Sequence, residues 1–199
     1  DEKASIGTLA HEMIHCMLKN EEADTSDYSQ NQIDLALNSL KSFDNWYKGS
    51  DLKPVLLEEQ LVSEELQYGG SIDCYGVIKD GTRVLVDFKT GKGIYNDMAY
   101  QLSAYANLLE ENGYPVDLAM ILNIPRVDAE DFAIRRWTNL TLHFNIFKCM
   151  LDVYKKEKKL KKDGVSPKVE MREDFTSIVD PSRHHSDREE EKGAVHERV

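Results

Sequence analysis

The stretch that most constrains this chain runs from Gly69 to Lys92. Two short runs rich in β-branched and aromatic residues, Ile72 to Ile78 and Arg83 to Phe88, flank Lys79-Asp80-Gly81. That pattern reads as a β-hairpin with a tight reversal. If the loop has three residues and Gly81 takes the left-handed conformation, Ile78 pairs with Thr82 and Asp73 falls opposite Asp87. Side chains alternate faces along a strand, so Lys89 then shares a face with Asp87. A four-residue loop would scatter the three. Like charges facing each other across a ladder are destabilising, which calls for a cation between them, and carboxylate oxygens suit a hard divalent ion. The plainer reading makes the two acids ordinary strand-end residues with Lys89 as their salt-bridge partner.

The rest of the chain supplies helices on either side of this hairpin. Ile6 to Lys19 carries Ile6, Leu9, Ala10, Met13, Ile14 and Met17 at helical spacing, with Ser5 or Thr8 as the expected cap. Ser29-Gln30-Asn31-Gln32 has the form of a capping box and opens a second helix that ends near Gly49. Val55 to Val62 reads as a strand before the hairpin. Asp97 to Asn112 reads as a helix stopped by Gly113. Leu118 to Ile124 and Phe132 to Trp137 read as strands, and Leu140 to Lys162 as a long final helix. The order helix, helix, three strands, helix, strand, strand, helix predicts an α/β fold, a mixed central sheet flanked by helices. The expected domain covers residues 1–179. Residues 180–199, rich in charge and without apolar periodicity, read as a disordered tail.

Composition narrows the function classes. The 199 residues with 41% hydrophobic content suffice for one domain with a real core. There is no apolar run of membrane-spanning length, and Asp1-Glu2-Lys3 is unlike a secretion signal, so the expected setting is cytoplasmic with no membrane partner. Cys16, Cys74 and Cys149 are odd in number, far apart and in apolar surroundings, which predicts buried reduced thiols. The net charge of −11 argues against a nonspecific basic coat on nucleic acid, so any nucleic-acid site must be local. The one concentrated basic run, Lys155 to Lys162, fits either phosphate contact or the ordinary preference of lysine for helix C-termini.

The first helix admits two readings. His11-Glu12-Met13-Ile14-His15 matches H-E-x-x-H, in which two histidines on one helix face hold zinc and the glutamate activates water. The chain offers no clearly placed third ligand for such a site. The other reading takes Gly7 to His11 as the unit and sets His11 beside Asp73, Asp87 and Lys89. Gln101 and Tyr105, one turn apart on the helix after the hairpin, complete the set.

Taken in order, Gly7-x-x-x-His11, Gly70-x-x-Asp73, Asp87-Phe88-Lys89 and Gln101-x-x-x-Tyr105 resemble the PD-(D/E)XK nuclease superfamily in its RecB-like branch, over about 100 residues. The resemblance implies a restriction-endonuclease-like core and a deoxyribonuclease. It implies an exonuclease of recombination, repair or phage replication, dependent on Mg²⁺ or Mn²⁺, with DNA as its partner. It implies His11, Asp73, Asp87 and the Phe88 carbonyl as metal ligands, and Lys89 beside the attacking water. Gln101 and Tyr105 would then line the DNA path. Glu59 stands on the preceding strand, where relatives carry an acid near the metal. Three scattered cysteines do not match the four of the iron–sulfur members. A nuclease fold that binds nucleic acid without cutting is the alternative function.

Overall fold

The computed structural model describes residues 2–164. Gly81 takes φ +87° and its N–H donates to the Ile78 carbonyl at 2.9 Å, while Ile78 N donates to the Thr82 carbonyl at 3.0 Å. The loop therefore has the three residues the sequence predicts. It joins β2 (Tyr68–Val77) to β3 (Arg83–Lys89), and their register runs from Val77 opposite Arg83 to Cys74 opposite Val86. Continued one step further that register would set Asp73 opposite Asp87, although the pairing itself stops at Cys74 and Val86.

Around the hairpin the elements follow the expected order. They are α1 (Glu2–Lys19), α2 (Gln30–Ser50) and β1 (Lys53–Ser63) before it, and α3 (Asn96–Glu111), β4 (Leu118–Asn123), β5 (Ala133–Trp137) and α4 (Thr141–Lys162) after it. The five strands line up as β1-β2-β3-β4-β5, antiparallel throughout except for the parallel β3–β4 pair. The α3 crossover between β3 and β4 makes that parallel pairing feasible. The mixed sheet flanked by helices is the predicted fold class.

Local chemistry explains the helix ends. Ser29 and Gln32 form the predicted capping box, with Ser29 N donating to Gln32 Oε1 at 2.9 Å. One expectation fails at α1. That helix starts at Glu2, so Ser5 and Thr8 lie inside it, and the Thr8 hydroxyl bonds back to the Ala4 carbonyl at 3.1 Å instead of capping. The expected burial of all three thiols also fails: Cys74 is buried, Cys16 half-buried and Cys149 exposed, because α4 turns the Cys149 position outward.

Two cores lie on opposite faces of the sheet. On one, Val84, Val86 and Phe88 of β3 meet Ile14 of α1 and Phe43 of α2. On the other, Leu85 meets Leu102, Leu108 and Leu109 of α3. Strand alternation then directs Asp87 and Lys89 to the α3 side. Phe43 is fully buried and packs its ring against Phe88 at 5.1 Å and Tyr47 at 5.8 Å. Phe43→Ala should cost about 3–5 kcal/mol of unfolding free energy, read by denaturant titration.

The compact unit extends to Lys155, and a second unit begins at Lys156, within α4. The expected boundary at residue 179 and the tail after it lie outside the described residues. Among the described residues no helix is long and apolar enough to cross a membrane.

Candidate active site

The hairpin ladder opens where the acids stand. β2 pairs with β3 only as far as Cys74 opposite Val86, whereas β3 stays paired to β4 through Lys89 opposite Asn123. In the gap the Asp73 side chain replaces a ladder bond: its Oδ2 accepts the Phe88 N–H at 2.7 Å. The other edge of β2 changes at the same point. Glu58 of β1, opposite Asp73, takes φ +52° and has no ladder partner. Leu57 and Cys74 pack on the α1–α2 side, but Leu61 and Ile72 pack on the α3 side. Both strands thus rotate through the Glu58–Asp73 step, which frees the Asp73 carboxylate from ordinary sheet packing.

Asp73 Oδ1 lies 3.5 Å from His11 Nδ1. Asp87 is buried, and Lys89 Nζ stands 2.8 Å from its Oδ2, though off the line of a good hydrogen bond. The same ammonium donates to Gln101 Oε1 at 3.0 Å, and Gln101 Nε2 donates to Tyr105 Oη at 2.8 Å. A continuous polar chain therefore links Asp87, Lys89, Gln101 and Tyr105 across β3 and α3. The structure brings together six of the predicted groups, counting His11 and Asp73.

The two carboxylates have opposite environments. Burial pushes Asp87 up to about 6; the Asp73 charge adds to this, and Lys89 opposes it. Burial also acts to raise Asp73, but His11, the Phe88 N–H and Lys89 outweigh it and hold Asp73 below the usual range. Tyr105 is pushed up to about 12, first by burial and then by the negative charges of Asp87 and Asp73. Its phenol thus stays protonated as a donor at neutral pH.

Two glycines of the sequence motifs have steric reasons. A Cβ at Gly70 would meet Tyr105 Cε1 at 2.7 Å, so only glycine lets the tyrosine ring lie against β2. A Cβ at Gly7 would come within 2.9 Å of Thr90 Oγ1, just beyond Lys89. Both keep helices close to the acidic patch. Phe88 works from beneath: its ring is 6.0 Å from that of His11 and 5.7 Å from that of His15.

The two histidines address different carboxylates. His11 faces Asp73, while His15 is buried with Nδ1 at 2.7 Å from Glu58 Oε1. Lys19 Nζ bonds Glu58 Oε2 at 3.0 Å. Of the two adjacent acids on β1, Glu58 lines a groove of about 610 Å³ together with Gly7, Thr8, His11 and Glu12. Glu59 is exposed one residue further along and pairs with Ile72. Sequence alternation cannot single out Glu58, because the strand rotation at that step depends on its own left-handed backbone.

Two carboxylates, an imidazole and a strand carbonyl are, in kind, donors that suit Mg²⁺ or Mn²⁺. Burial of Asp87 with one misaligned ammonium beside it leaves a negative site that a cation would complement. Among the described residues no three His, Cys, Asp or Glu side chains are grouped closely enough to hold an ion. The donors fit by chemistry, and Lys89 carries the positive charge next to Asp87 in this arrangement.

Comparison with solved structures bears on the fold. A candidate exonuclease from Eubacterium rectale is similar over 80% of this chain and 68% of its own, with a TM-score of 0.59 at 13% identity. That likeness supports the α/β architecture with its mixed, helix-flanked sheet. A repair endonuclease from Pyrococcus abyssi matches 50% of this chain and 38% of its own at 22% identity, with a TM-score of 0.28. At that score it carries no weight. No protein-family model matches the chain, and no curated protein does.

Proposed function

We propose that this chain is a divalent-metal-dependent deoxyribonuclease that hydrolyses DNA phosphodiester bonds, acting as an exonuclease in recombination, repair or phage replication. The observation that carries this reading is the meeting of Asp73, Asp87 and Lys89 at the opened end of the hairpin, with His11 on one side and Gln101–Tyr105 on the other. The exonuclease-like fold of the Eubacterium rectale structure supports it.

Asp73, Asp87, His11 and the Phe88 carbonyl would hold the ion. A divalent cation there supplies positive charge to a scissile phosphate and makes nearby water more acidic. Lys89 orients the attacking water or stabilises charge on the phosphate oxygens. Gln101 keeps Lys89 aimed at the acids, and the Tyr105 hydroxyl donates to a phosphate or stacks its ring on a base. Glu58 stabilises the first helix through His15 and Lys19 and so fixes the approach of His11.

Tyr105→Phe removes one hydroxyl and Gln101→Ala one link to Lys89. Each should weaken productive DNA binding by about 1–3 kcal/mol, measured as KM and Kd, with melting temperature unchanged. Unchanged cleavage and affinity in Gln101→Ala would take α3 out of the site. Incubation with end-labelled linear DNA and with covalently closed circular DNA tests the form of the activity. Loss of label from linear DNA alone supports an exonuclease. Nicking of circles would assign an endonuclease, and binding without cutting under every divalent metal would favour the non-cutting alternative.

A further inference from the structure

β4 is apolar from Leu118 to Leu122 and then ends on Asn123, the one polar residue of the strand, which is 1% exposed. Ala119 and Ile121 pack on the α3 side of the sheet and Met120 and Leu122 on the other, so alternation puts Asn123 on the α3 side. Asp87 and Lys89 stand on that same face, and in the parallel ladder Lys89 is the partner of Asn123. Packing does not account for an amide there. Asn123 Oδ1 is buried and accepts no bond among the described residues, a loss that an aliphatic side chain of similar size would not carry.

The amide nitrogen explains the residue. Nδ2 donates to the Gly91 carbonyl at 3.0 Å and to the Asp131 carbonyl at 3.3 Å. Two carbonyl acceptors fix which end of the amide points where, and they use both of its N–H bonds. Gly91 lies two residues beyond Lys89 in the connection to α3, and Asp131 lies in the connection from β4 to β5. The second connection is itself pinned, by Arg126 to Glu130 at 2.7 Å and by the Ser39 hydroxyl to the Pro125 carbonyl at 3.0 Å. The first has less to hold it, since a Cβ at Gly91 or Gly93 would touch nothing within 4 Å. Ile124 N donates to the Lys89 carbonyl at 2.7 Å, and the Asn123 amide adds the next tie, at Gly91.

We infer that Asn123 is a positioning residue for Lys89. By holding the Gly91 carbonyl it fixes the backbone from which the ammonium reaches Asp87 Oδ2 at 2.8 Å and Gln101 Oε1 at 3.0 Å. Without this tie the end of β3 frays into the glycine-flanked residues 91–93, and Lys89 loses its fixed origin. The part that Lys89 plays in cleavage rests on the nuclease reading, whereas the hold on its backbone does not.

Asn123→Leu keeps the size of the side chain and removes both donors, and Asn123→Ala is a second, smaller variant should leucine disturb the packing. Amide hydrogen exchange on the full chain, without DNA or metal, should be about tenfold faster at Ile124 and across residues 90–95 in either variant, with α2 unchanged. On end-labelled duplex DNA with Mn²⁺, kcat should fall about tenfold at constant KM, as expected when a reacting group is misplaced. In a Lys89→Ala background the same substitution should lower the residual cleavage by less than about twofold, because the two residues act through one another. Exchange at the wild-type rate would overturn the inference. So would faster exchange with wild-type kcat, or a tenfold loss that persists without Lys89, the mark of a general structural role. A wild type that cuts DNA under no divalent ion ends the nuclease reading, and the exchange measurement alone then upholds or overturns the hold.

Discussion

Asp87→Asn should leave a folded protein whose DNA cleavage falls by about a thousandfold or more, the order expected when several kcal/mol of charge stabilisation at a phosphate is lost. Asn is nearly isosteric with Asp, so the packing around this buried site is kept. Burial and the Asp73 charge work against the ionised form of Asp87. The amide carries no such penalty. Lys89 loses its contact with Asp87 but keeps Gln101 at 3.0 Å. The melting temperature should therefore hold within a few degrees while activity disappears. A large drop in melting temperature with proportional loss of activity would mean that Asp87 is a structural ion-pair residue.

His11→Ala should lower cleavage by about a hundredfold or more, as expected for removal of a proposed metal ligand that stands 3.5 Å from Asp73. Glu12→Gln, on the same helix turn, should change it by about twofold at most, the range of a surface substitution. His11 lies 3.5 Å from Asp73, and its ring rests on the edge of Phe88. Glu12 only lines the groove beside it. The zinc-peptidase reading predicts the reverse: there Glu12 is the base, and its loss would remove all activity. Casein hydrolysis by the wild type, abolished in Glu12→Gln, would support that reading instead.

The hairpin was legible because its geometry is set locally. Gly81 after Lys79-Asp80 selects the three-residue loop, and the register that follows from it directs Asp73 toward Asp87 and puts Lys89 on the Asp87 face. Gln101 and Tyr105 were legible through helical spacing, although the steric reason for Gly70 beneath Tyr105 needed the packing. What escaped the sequence depends on non-local effects. The rotation of β1 and β2 at Glu58 and Asp73 arises where two strands part, and neither strand shows it alone. It turns Glu58, not Glu59, into the groove. An apolar pattern that begins at Ile6 makes Ser5 or Thr8 the expected cap, but the helix continues back to Glu2. Apolar neighbours predict burial for Cys149, which is exposed. Periodicity cannot tell a helix with one apolar side facing the core from one with a second apolar side that is exposed.

The central claim, that this cluster cuts DNA with a divalent ion, is tested most directly by metal replacement. Protein treated with EDTA is offered end-labelled duplex DNA in buffer alone, with Ca²⁺, or with Mn²⁺, and the release of labelled product is timed. An oxygen-rich site with one imidazole suits Mn²⁺, whereas Ca²⁺ prefers larger cages of oxygen ligands and acidifies water poorly. The account predicts no product without metal, little with Ca²⁺ and rapid cleavage with Mn²⁺. Undiminished cleavage in EDTA, or none with any divalent ion, would contradict it.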